Sequence, residues 1–126
     1  MIDWSNLYKI RIANPDKSMQ KHEIVKLLLV MKLLNKYKQQ KQYIKIYTEF
    51  QLEGRKCDIY FENIKTKEIL IYEIQKSITT NWLEKVKEFY EDYDVLFMKT
   101  DFIVVDLKRL SNDINEIDKQ LEEYVF

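Results

Sequence analysis

Hydrophobic positions first recur at helical spacing between residues 19 and 37, where Ile24, Leu27, Leu28, Met31 and Leu34 form a stripe. Val25, Leu29, Val30 and Leu33 fill much of the remaining circumference, so the spacing predicts a helix buried on more than one side. Ser18 is positioned to cap it. Upstream, the alternation Tyr8-Lys9-Ile10-Arg11-Ile12 suits a short strand, closed by Asn14-Pro15-Asp16. Downstream of a Lys/Gln-rich connection at 36–42, the run from Tyr43 to Phe50 is dense in aromatic and β-branched residues and predicts a strand. Gly54 marks a turn, Cys57 to Phe61 reads as a second strand, Asn63 to Lys67 as a polar turn, and Ile69 to Gln75 as a third strand. Two tight hairpins are implied. Trp82, Leu83, Val86, Phe89, Tyr90 and Tyr93 then share one helical stripe, with Lys85, Lys87, Glu88 and Glu91 largely outside it, which predicts a helix over 79–92. Two short apolar runs follow, 95–98 and 102–107, the first placed to pair beside the third strand. Ser111 to Tyr124 opens on a Ser-Asn-Asp cap signal and spaces Ile114, Ile117, Leu121 and Tyr124 as a terminal helix does. The order is α-β-β-β-α-β, then a further strand and a helix, which predicts an α/β fold with a mixed sheet flanked by helices.

Composition narrows the functional classes. The chain has 126 residues, 46% hydrophobic and 33% charged, which fits one domain with a buried core under a well-solvated surface. A single Gly excludes a glycine-rich phosphate-cradling loop. The longest apolar run, Leu27 to Met31, falls far short of the roughly 20 residues a membrane span needs, so no membrane partner is expected. The start of the chain has no basic region followed by an apolar stretch, and the lone Cys57 forms no internal disulfide. A cytoplasmic, reducing location is the expectation.

Net charge is zero, but residues 1–57 carry 12 Lys/Arg against 5 Asp/Glu, whereas 58–126 carry 9 against 16. Opposite halves can simply attract one another inside one fold. They also suit a basic surface for phosphates beside an acidic site for a cation. In the third strand Glu73 and Gln75 share a face with Ile69 and Ile71, so a carboxylate interrupts an apolar strand and needs a cationic partner or a metal. Asp58 interrupts the second strand in the same way. Two acids on neighbouring strands can converge, and a divalent cation bound by both removes their mutual repulsion.

Arg55-Lys56-Cys57-Asp58-Ile59-Tyr60, followed, with fourteen residues between Asp58 and Glu73, by Glu73-Ile74-Gln75-Lys76, resembles the PD-(D/E)XK nuclease superfamily, in particular the CoiA-like competence nucleases and small Holliday-junction resolvases. The αβββαβ order is that superfamily's core order, and the likeness covers about residues 18–100. It implies a restriction-endonuclease-like fold and a Mg²⁺-dependent deoxyribonuclease, with Mn²⁺ as the expected substitute. Asp58, Glu73 and the Ile74 carbonyl would hold the metal, and Glu23 would match the helix acid many members place nearby. Gln75 stands where many members have Lys. It can orient a water but supplies no positive charge, which leaves Lys76, or Lys85 in the next helix, to assist. DNA is the implied partner, branched DNA by analogy with the resolvases, and a two-fold homodimer would let the protein act on two strands.

Each residue also has a plainer reading. Asp58 and Glu73 fit a structural ion-pair network with Arg55 or lysines, and Glu23 and His22 fit a solvated helix face. Cys57 lacks a catalytic partner and suits the core. Tyr43, Tyr47, Tyr60 and Tyr72 could stack on bases but suit a sheet core. Lys32, Lys36, Lys38, Lys41 and Lys45 form a solvated face or, with Arg55, a phosphate-binding surface. The alternatives are therefore a nuclease-fold module that binds DNA without turnover and a winged-helix binder. The three successive strands disfavour the winged helix.

Overall fold

The computed structural model describes residues 8–9, 19–52, 54–91 and 99–125. The expected strand at 95–98, most of the one at 8–12, the Ser18 cap and Tyr93 lie outside them. Five strands form one sheet in the order β1-β2-β3-β4-β5: β1 (Tyr8–Lys9), β2 (Ile44–Leu52), β3 (Arg55–Asn63), β4 (Glu68–Gln75) and β5 (Lys99–Asp106). Three helices accompany them: α1 (Gln20–Lys36), α2 (Thr80–Glu91) and α3 (Ile114–Gln120). β2, β3 and β4 run antiparallel, while β1 is parallel to β2 and β5 is parallel to β4. The described elements from α1 onward thus follow the order αβββαβα.

Local chemistry explains the punctuation. Gly54 takes φ +84° in the turn between Leu52 and Arg55, a left-handed conformation that costs an L side chain energy. The β3–β4 turn starts with Asn63, whose side-chain oxygen accepts from the backbone N–H groups of Lys65 (3.0 Å) and Thr66 (3.3 Å). β5 pairs beside β4, in register from Glu68↔Lys99 to Gln75↔Asp106. The helix expected over 111–124 is divided: Asp113 caps α3 by accepting from Asn115 and Glu116, and the chain tightens to a 3-10 turn over Leu121–Tyr124.

Two hydrophobic layers cover the sheet. On one face Val25, Leu29, Val30 and Leu33 of α1 pack with Ile46, Phe61, Tyr72, Ile74 and Leu121. On the other, Val86, with Trp82 and Phe89 packed around it, meets Cys57, Tyr60, Ile69 and Ile71. The inward stripe of α1 is therefore His22-Val25-Lys26-Leu29-Val30-Leu33, not the stripe through Leu27 and Met31, which are 38% and 56% exposed. Val25, Leu29, Val30 and Leu33 are buried as expected, whereas Leu27 and Met31 face outward because the buried face also takes a histidine and a lysine, which apolar spacing does not count. No helix among the described residues is long and apolar enough to cross a membrane.

Candidate functional site

The β3–β4 ladder runs from Asn63↔Glu68 to Ile59↔Tyr72 and stops there, one residue before Asp58 and Glu73. The two strands diverge into a fork at this point. Across the fork, the Ile74 N–H donates to Asp58 Oδ2 at 2.7 Å, so a side chain takes the place of a ladder partner.

A second irregularity aims the acids. The β2–β3 register includes Thr48↔Ile59 and Phe50↔Cys57 but omits the pair between them, Glu49 and Asp58, and Glu49 has φ +50°. Strict alternation would put Ile46 and Phe50 on one face, yet Ile46 packs with α1 and Phe50 with the α2 layer; Ile59 and Cys57 divide in the same way. The strands rotate at this step. Consequently Glu49 and Asp58 both reach α1: Lys26 Nζ lies 3.4 Å from Glu49 Oε1, and His22 Nε2 lies 3.1 Å from Asp58 Oδ1.

The first two turns of α1 close that side. His22 Nδ1 is 3.3 Å from Glu23 Oε1, and Lys26 Nζ is 2.6 Å from Glu23 Oε2. The ammonium's approach lacks hydrogen-bond alignment, so Glu23 Oε2 is buried with an ionic neighbour but no hydrogen bond. The expectation of a solvated His22 is overturned, since His22 and Glu23 are each 8% exposed. Burial pulls the His22 imidazole down, but its hydrogen bonds to Asp58 and Glu23, with their charges, outweigh that and raise its pKa overall.

Glu73 follows the alternation of Ile69 and Ile71 toward the α2 layer and is 2% exposed. There Arg55 Nε donates to Glu73 Oε1 at 2.9 Å, with the guanidinium 5.9 Å from the Trp82 ring centroid. Cys57 lies between the two acids. Burial first, then the charges of Glu73 and Asp58, push its thiol up to about 12, which suits core packing and not nucleophilic attack.

Asp58 and Glu73 thus flank the same fork but are drawn to opposite faces, and Glu23 stands behind His22. Among the described residues no group of three His, Cys, Asp or Glu side chains is assembled to hold a metal ion. The donor chemistry still fits a hard divalent cation: Asp58 and Glu73 flank the fork, Asp58 sits against the Ile74 backbone, and one buried Glu23 oxygen lacks a hydrogen bond. His22, Lys26 and Arg55 balance these acids in the structure, so a bound cation would have to displace some of those contacts.

The remaining candidates are dispersed. Gln75, at the end of β4, is half-buried, whereas Lys76 and Lys85 are exposed; the cation at Glu73 is Arg55. Lys36, Lys38 and Lys41 are exposed at the far end of α1, roughly 20 Å along its axis from Glu23 at ~1.5 Å per residue. They do not line the fork. Lys32 is tied to Asp118 and Glu122, and Lys45 lies 3.9 Å from Glu62. Tyr60 and Tyr72 are core residues, while Tyr43 and Tyr47 are half-buried. Sequence reasoning passed over Lys26 and Trp82. A lysine inside a helix carries no signal of burial until its acidic partners are located. No protein-family model, curated protein or solved structure matches this chain.

Proposed function

We propose that the protein is a metal-dependent nuclease of the PD-(D/E)XK type that hydrolyses DNA phosphodiester bonds. The observation that carries this reading is the β3–β4 fork, whose two arms carry Asp58 and Glu73 at the end of an antiparallel ladder, with Asp58 beneath the acid-bearing first turns of α1. The αβββαβ order with β5 parallel to β4 supports a restriction-endonuclease-like core. Asp58, Glu73 and the Ile74 carbonyl would hold Mg²⁺, with Glu23 as the outer acid. When bound, the metal supplies an activated water and charge neutralisation at the scissile phosphate.

The chain's own residues supply the rest. Arg55 carries a forked donor set that suits a phosphate oxygen once it turns from Glu73, and the Trp82 ring limits where it can turn. Gln75 orients a water through its amide. His22 holds Asp58 from the α1 side, and the Ile74 N–H holds it from the other, so the carboxylate is fixed before substrate arrives.

The test is cleavage of linear duplex, single-stranded and four-way-junction DNA in Mg²⁺ or Mn²⁺, with titration calorimetry of the metal. Asp58→Asn and Glu73→Gln should each lower the rate at least about a thousandfold and weaken metal binding. Wild-type protein that binds no metal and leaves every DNA intact would refute it. A DNA-binding module without turnover is the second reading, and it has its own support. Each acid already has a basic side chain as its partner, and Gln75 stands where a catalytic lysine is usual.

A further inference from the structure

Next to the fork, on the side where β4 and β5 end, is a cavity of about 230 Å³ lined by Lys21, Lys76, Leu107 and Lys108. Three cations from three different elements converge on it. Lys21 belongs to the first turn of α1, Lys76 directly follows Gln75 of β4, and Lys108 sits in the 3-10 turn (Leu107–Arg109) that follows β5.

The lysines are not equivalent. Lys21 Nζ donates to Leu107 O (2.8 Å), Leu110 O (2.7 Å) and Asn112 Oδ1 (3.0 Å), which uses all three of its N–H groups. It ties the segment after β5 to α1 and leaves its positive charge uncompensated by any of those neutral acceptors. Lys76 and Lys108 are exposed, and among the described residues neither ammonium is paired with a carboxylate. The nearest acid in the register, Asp106, is occupied otherwise: its Oδ1 accepts from the Lys108 backbone N–H at 3.0 Å, and its Oδ2 lies 3.8 Å from Arg109 Nε.

Position reinforces charge. The cavity lies beyond the carboxyl ends of two parallel strands, where open α/β sheets bind ligands. Lys21 is adjacent in sequence to His22 and Glu23, and Lys76 to Gln75, so the cavity adjoins the acidic fork without sharing its residues. The amino-terminal end of α1, with its partial positive charge, is also there. Leu107 and the lysine stems form the walls, which weakens solvent screening of the ammonium groups.

We propose that this cavity is a phosphate subsite that receives a backbone phosphodiester of the nucleic acid near the one at the fork. The inference rests on nucleic acid being the substrate. Lys76 and Lys108 make the contacts; Lys21 sets the wall and contributes field. Lys76 thereby acts in binding, not as the missing catalytic lysine.

Binding of a fluorescein-labelled 20-base-pair duplex, followed by anisotropy in EDTA at several salt concentrations, tests this apart from cleavage. Lys76→Gln/Lys108→Gln should weaken binding about tenfold or more and make the log–log salt slope shallower by about two, as the loss of two phosphate contacts requires. The exposed pair Lys87→Gln/Lys119→Gln serves as the control for general charge loss. Inorganic phosphate titrated against ¹⁵N-labelled wild type should shift the backbone amides of Lys76 and Lys108. Unchanged duplex affinity in the double variant, or a loss no greater than the control pair shows, overturns the subsite. Shifts with phosphate but no effect on duplex binding overturn it in favour of a free-oxyanion site. Duplex binding that depends on the pair, with no cleavage in Mg²⁺, supports the subsite and sinks the nuclease alone.

Discussion

Lys26 is 1% exposed in the middle of the α1 interface, and its ammonium touches Glu23 at 2.6 Å and Glu49 at 3.4 Å. Replacing it with Met preserves chain length and apolar packing but leaves the carboxylate of Glu23, itself 8% exposed, with His22 as its remaining ionic neighbour. At an effective dielectric near 20 the closer pair attracts by roughly 6 kcal/mol, most of it offset by desolvation of both charges. Removing one partner forfeits the attraction while the other charge stays desolvated, so Lys26→Met should cost about 3 kcal/mol. Glu23→Gln should cost less, about 1–2 kcal/mol, because Glu49 still faces the ammonium. In Glu23→Gln/Lys26→Met neither of those charges remains to be stranded, and the loss should shrink to within about 1.5 kcal/mol of wild type. Urea unfolding at pH 7, followed by circular dichroism with the m-value checked for constancy, reads all four corners of the cycle. A Lys26→Met protein within about 0.5 kcal/mol of wild type would refute the reasoning, as would a double variant no more stable than Lys26→Met.

Three further outcomes are expected. The Cys57 thiol, held neutral up to about 12, should react with iodoacetamide near pH 9 at least roughly a hundredfold more slowly in the native protein than in guanidinium. Because its ionisation is raised in the folded state, this contribution is complete below about 9 and is lost as pH rises toward 12, so stability in this range should fall with pH; Cys57→Ala should remove that part of the slope. Lys67 holds φ +58° in the β3–β4 turn, and Lys67→Gly should raise stability by about 0.5–1 kcal/mol, seen as a higher Tm. Tyr72 is fully buried and its hydroxyl donates to Tyr124 O at 2.7 Å, so Tyr72→Phe should cost about 1 kcal/mol and leave the end of the chain more open to carboxypeptidase.

Periodicity and turn chemistry in the sequence were enough for α1, β2, β3, β4 and α2, each within about three residues of its observed bounds, because those signals are local. The acids at Asp58 and Glu73 were legible as carboxylates inside apolar strands. Pairing partners were not. That 99–106 lies beside β4, and that α1 turns Lys26 and not Leu27 toward the sheet, depends on contacts between segments distant in sequence. The same holds for the site. Asp58 follows Cys57 in every reading of the sequence, but only the missing ladder pair at Glu49 and the early end of the β3–β4 ladder turn it toward His22 and the Ile74 N–H. Composition and spacing thus determined which residue types were present for charge chemistry. Tertiary structure decided which basic group meets which acid, because Arg55, His22 and Lys26 became partners only after folding removed water from the space between them.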